Sequence, residues 1–183
     1  GSSSAFGAVD DKTPNAYEEA WDVIDTNGAT AGGTPTVING GGGDGMFIYT
    51  SPSMGGATVT AAYRNHESDA AESYMDFAVA ISPEAVEGLT LGFASSDNTV
   101  ASASNQDDDE TTMYATYAFG AVTVGVQQSD LDSTASGSDL ESIAYGITYA
   151  VNDDISIGYS YHELETESTT DQDQESTGIS ASF

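Results

Sequence analysis

The chain has 183 residues, with 30 Asp plus Glu against 2 Lys plus Arg, and no cysteine. The length suits one domain with a sizeable core. A formal charge of −28 leaves nothing to neutralise phosphates and so excludes nucleic-acid binding. The missing cysteines exclude disulfides and thiolate–metal chemistry.

Residues 1–43 carry no period-two pattern. Within them NAYEEAWDVI (15–24) reads as a short helix. Ala16, Ala20, Val23 and Ile24 share one face, and Asn15 with Glu18 resembles a capping box. Asn27-Gly28 ends it, and the glycine-rich run that follows is loop. The chain opens on Gly1-Ser-Ser-Ser as if inside a loop, and no signal peptide is visible. The sequence therefore reads as a piece of a longer chain.

From Asp44 the period changes to two. Nine segments alternate: 45–50, 57–64, 74–82, 89–95, 113–119, 122–128, 143–150, 155–162 and 177–183. One face of each is apolar, as with Met75, Phe77, Val79 and Ile81, or Ile143, Tyr145, Ile147 and Tyr149. The other face is Thr, Ser, Gly, Ala and Gln, and only Arg64 and Asp76 bring charge into it. The breaks go short, long, short, long. The short ones are 51–56, 82–88, 120 and 152–154; the long, acidic ones are 65–73, 97–111, 129–139 and 163–175. This regularity argues against the disorder that such a charge could otherwise mean. No run of 18 apolar residues could cross a membrane as a helix. Tight turns at one end and long polar loops at the other fit a membrane-spanning barrel. A soluble sheet scatters Lys and Glu along its exposed face, whereas charge facing lipid costs up to ~2–4 kcal/mol at midplane. The expected fold is therefore all-β, an antiparallel up-and-down transmembrane β-barrel. Tyr49 and Tyr149 stand beside short turns, and Tyr63 and Tyr161 beside long ones, as two aromatic belts would.

The stretch DGMFIYTSPSMGGATVTAAYR (44–64) resembles the middle of bacterial general-diffusion porins, through Tyr49-Thr50-Ser51-Pro52 and Gly55-Gly56. AYEEAWDVIDTNG (16–28) is similar to their inward-folded constriction loop, and YAVNDDISIGYSY (149–161) to one of their hairpins. The likeness, loose over the whole chain, is to the α-proteobacterial type. It implies a 16-stranded, usually trimeric barrel in the outer membrane that passes small hydrophilic solutes. Nine strands would then be part of that wall, and residues 1–43 the constriction loop with a short helix near 15–25. Porins end on a terminal phenylalanine, which Phe183 could be.

A pore works by size and field rather than by bond-making. The resemblance places Glu18, Glu19, Asp22 and Asp25 at the constriction, and Arg64 and Asp76 on the lumen wall. Related porins set arginines opposite such acids; here Arg64 and Lys12 are the only bases. The lumen is then net negative and the channel prefers cations. Asp107, Asp108, Asp109 and Glu110 admit a weak calcium site, although they do not fit an EF-hand and read more simply as solvated surface. Membrane lipid and lipopolysaccharide are the expected neighbours. His66 and His162 are isolated, and no nucleophile elbow or phosphate loop is present. No enzyme signature survives. The alternatives are a soluble, calcium-stabilised extracellular β-sandwich or adhesive module, and a surface barrel acting mainly as a receptor.

Overall fold

The computed structural model of the protein describes residues 4–9, 11–15, 38, 45–65, 72–100, 108–134, 139–167 and 173–183. Among these, nine strands form one sheet: β1 (Phe47–Thr50), β2 (Ala57–Arg64), β3 (Glu72–Ile81), β4 (Leu89–Val100), β5 (Asp108–Phe119), β6 (Val122–Ser133), β7 (Asp139–Ala150), β8 (Ser156–Glu167) and β9 (Gln174–Ser182). They follow one another in sequence order, and each neighbouring pair is antiparallel. The expected up-and-down wall of nine strands is present. It is a single open sheet, not a sandwich, because no second sheet covers either face among the described residues.

The tight connections are built as their residues suggest. Gly56 and Gly88 hold φ of 83° and 84°, and each packs directly on a backbone carbonyl of the next hairpin, where a side chain would collide. Gly120, at φ 61°, lies in the two-residue connection between β5 and β6. The side chain of Asn152 caps the β7–β8 turn, accepting from the amides of Asp154 and Ile155 at 2.9 Å each.

The long acidic breaks are shorter than the sequence suggests. Strand β4 runs on to Val100, β5 starts at Asp108, β6 continues to Ser133 and β8 to Glu167. Apolar alternation stops where the acids begin, but backbone pairing needs no apolar side chain. The ladder continues through the acidic residues. The two ends differ in the chemistry of their strand tips.

The second departure lies at the N-terminus. The expected helix near 15–25 falls outside the described residues. Earlier in the chain, a single 3-10 turn at Phe6–Ala8 opens a strap, residues 4–9 and 11–15, that lies against the sheet. Ala5, Phe6, Val9 and Ile38 are buried against Ala62, Ala78, Ala94 and Tyr114. The dry core of the molecule is therefore a patch between strap and sheet. Burying Phe6 alone contributes about 1.5–3 kcal/mol.

Candidate functional site

The two faces of the sheet are opposite in character. Met75 is 60% exposed and its neighbour Asp76 1%; Ile143 is 37% exposed and Ala144 0%. Phe77, Phe93, Tyr117, Ile147, Ile157 and Ile179 are likewise exposed. The covered face holds Ser96, Thr112, Gln127, Ser129, Ser142, Ser160 and His162. A water-soluble protein would bury the first set and expose the second. The aromatics of the outer face also pair across strands, as with Tyr145 and Tyr161, stacked at 4.7 Å, and Phe77 and Phe93 at 5.8 Å.

Strand register shows how this apolar face is bounded. Cross-strand neighbours form continuous rows. One row reads Phe47, Tyr63, Met75, Asp97, Asp109, Asp132 from β1 to β6. The next reads Tyr49, Ala61, Phe77, Ser95, Thr111, Asp130, Glu141, Glu165 from β1 to β8. The third runs from Val59 through Val79, Phe93, Met113, Gln128 and Ile143 to Glu163 and Glu175. The fourth, from Ala57 to Thr177, meets no acid. The first carboxylate thus falls on β4, then β6, then β8. Two strands sideways are about 9.6 Å and one row along them about 6.7 Å, so the boundary slopes at roughly 35° to the rows. A level membrane surface draws such a line on strands that lean, and spanning barrel strands lean by about 35–45°.

The chain matches the Gram-negative porin family over residues 2–183. It belongs to the Gram-negative porins. No curated protein and no solved structure matches it. Membership places the chain in the outer membrane, with its apolar face toward lipid and its small, hydroxyl-rich face toward the channel.

On that inner face the strap of this porin is fastened at three points. The Phe6 amide donates to Asp76 Oδ2 at 2.8 Å, and the Tyr74 hydroxyl donates to the same oxygen at 3.0 Å. The Lys12 amide donates to Gln127 Oε1 at 2.7 Å, while Gln127 Nε2 donates to Thr112 Oγ1 at 3.0 Å. Pro14 sits over Gly125 and Gly146, which are cross-strand neighbours. A Cβ on Gly125 would stand 2.5 Å from Pro14 Cδ, and one on Gly146 would overlap the Pro14 carbonyl. Beside the strap, a cleft of about 310 Å³ is lined by Ser4, Ala8, Val9, Thr50, Thr58 and Thr60 among others.

The residues singled out from sequence fare differently. Asp76 and Arg64 both lie on the inner face. Asp76 does not face open water, because the strap covers it. The Arg64 guanidinium lies 5.8 Å from the centre of the Tyr74 ring. Glu18, Glu19, Asp22, Asp25 and Asp107 lie outside the described residues. Asp108, Asp109 and Glu110 are in β5, where successive side chains alternate between faces. Asp108 bonds the Ser133 hydroxyl at 2.6 Å and Glu110 that of Ser96 at 3.1 Å, while Asp109 is on the outer face. Among the described residues no group of three or more His, Asp or Glu could hold a metal ion.

Sequence reasoning missed the strap and its partners. The signal was present in Ala62, Ala78 and Ala94: three apolar residues on successive strands of the inner face. It also missed that Ser142 Oγ and His162 Nε2 are 2.8 Å apart. At 1% and 0% exposure this pair is closed to any substrate and reads as a wall contact.

Proposed function

We propose that this porin lets ions and small hydrophilic solutes diffuse passively, prefers cations, works as a homotrimer and catalyses no reaction. The observation that carries the channel reading is the inversion of the sheet, with apolar residues outside and hydroxyls, glycines and amides inside. Such a wall offers water hydrogen bonds along its length and no covalent chemistry. Cation preference rests on Glu18, Glu19, Asp22 and Asp25. They follow directly on a strap that runs along the inner wall to Asn15, and the chain holds only Lys12 and Arg64 to oppose them. Most described acids do not contribute, since the carboxylate rows lie on the outer face beyond the apolar band. The subunit contact and any lipopolysaccharide bound at those acidic tips are extensions of the family reading.

Reversal potentials across a potassium chloride gradient test the preference. The expected sign is that of a cation-selective channel. Anion selectivity would refute it, and so would a selectivity unchanged when Glu18, Glu19, Asp22 and Asp25 are replaced together by Gln and Asn.

A further inference from the structure

The strap brings one of the two basic residues of the chain to the inner face. Lys12 is half-buried. Its backbone is held twice within three residues. Gln127 takes its amide at 2.7 Å, and Pro14 is seated in the notch made by Gly125 and Gly146. The Gln127 side chain is itself fixed, 1% exposed and tied to Thr112, whose hydroxyl is 2.7 Å from that of Ser129. The wall around this clamp is uncharged: Thr116, Gly125, Gln127, Ala144 and Gly146 surround it in the register of β5 to β7. Asp11 beside it is exposed, so Lys12 is the positive member of the pair of charges that this held stretch of backbone carries over a neutral wall, where charge acts on the ions that pass.

We infer that Lys12 is a selectivity-determining residue, a positive charge on a clamped stretch of backbone that lowers the cation preference of the channel. Gly125, Gly146 and Gln127 are its positioning residues. This rests on the reading of the inner face as the channel wall. Gly125 and Gly146 matter because any side chain there lifts Pro14. Gln127 matters because its loss leaves the Lys12 amide without its acceptor.

The test uses the full chain in planar lipid bilayers under a potassium chloride gradient. Lys12→Gln is expected to move the reversal potential toward the cation limit. A unit charge about 8 Å from an ion in water changes its local concentration about twofold, and a shift of that order in the cation-to-anion permeability ratio is expected. In a Gln127→Ala or Gly146→Val background the effect of Lys12→Gln should fall to less than half, with the folded band in heat-modifiable gel mobility retained. Should Gly146→Val fail to fold, Gly146→Ala and Gln127→Ala still carry the comparison. An unmoved reversal potential in Lys12→Gln overturns the role of Lys12. An equal shift in all backgrounds overturns the positioning role. A wild-type chain that conducts no current removes the channel reading and this inference with it. That result is distinct from a conducting channel blind to Lys12.

Discussion

At the scale of single residues, Asp76 is costly to lose. It is 1% exposed and one of its oxygens accepts both the Phe6 amide and the Tyr74 hydroxyl. Its neighbours on either strand are Ala62 and Ser96, neither of which reaches the strap in its place. Replacing it by Ala takes the acceptor from the buried Phe6 amide, at a cost of about 1–3 kcal/mol. Asp76→Asn keeps an acceptor oxygen and should cost less. Urea titration of the chain folded in detergent micelles would rank the variants, with Asp76→Ala the least stable; equal midpoints for both would argue that the strap does not depend on this contact. The sequence showed Asp76 as an isolated charge on a neutral face. It did not show the partner, because Phe6 is 70 residues away and contributes a backbone amide that no side-chain pattern marks.

At the scale of elements, the acidic strand tips are built against their own electrostatics. Asp97 faces Asp109, which faces Asp132; Asp130 faces Glu141, which faces Glu165. Like charges directly opposite one another weaken a ladder by a few tenths of a kcal/mol to about 1 kcal/mol each. Neutral donors offset part of this: Gln128 Nε2 donates to Glu141 Oε1 at 3.3 Å and Thr99 Oγ1 to Asp97 Oδ1 at 3.0 Å. The strand tips should therefore become more stable as salt is raised, since the Debye length falls from about 10 Å at 0.1 M to about 3 Å at 1 M. Glu141→Lys turns two repulsive pairs into attractive ones and should stabilise the tips by about 1 kcal/mol, with less remaining salt dependence. Hydrogen exchange of the β6 to β8 amides at low and high salt measures both effects. Protection that falls as salt rises has the wrong sign for this account. The sequence marked these residues as loop because its signal is apolar contrast, which ends at the membrane boundary while the backbone ladder does not.

At the scale of the whole molecule, the orientation of the sheet is the central claim. In a chain with Trp21→Phe as background, Phe93→Trp places a fluorophore on the outer face in the third row. Thr116→Trp places one on the inner face. Refolded into vesicles with brominated acyl chains, the first should be strongly quenched and the second little, because the bromines are confined to the hydrocarbon. Equal quenching would mean that the sheet does not divide lipid from water. The same contrast separates the channel from a soluble sandwich, in which Phe93 would be covered by a second sheet.

The sequence by itself determined the strand count, the face taken by each residue of the nine alternating segments and the lipid-facing sense of the sheet, because a strand alternates with period two and lipid penalises charge on one side. Arg64 and Asp76 were both legible as inner-face residues on that ground alone. Only the tertiary structure decided the register that turns scattered acids into a sloping boundary, and the length of β4 to β8 beyond it. It also decided that residues 4–9 and 11–15 strap the inner wall, with Pro14 seated on Gly125 and Gly146. These depend on contacts between residues far apart in the chain, made by backbone amides and missing side chains, which leave no periodic trace.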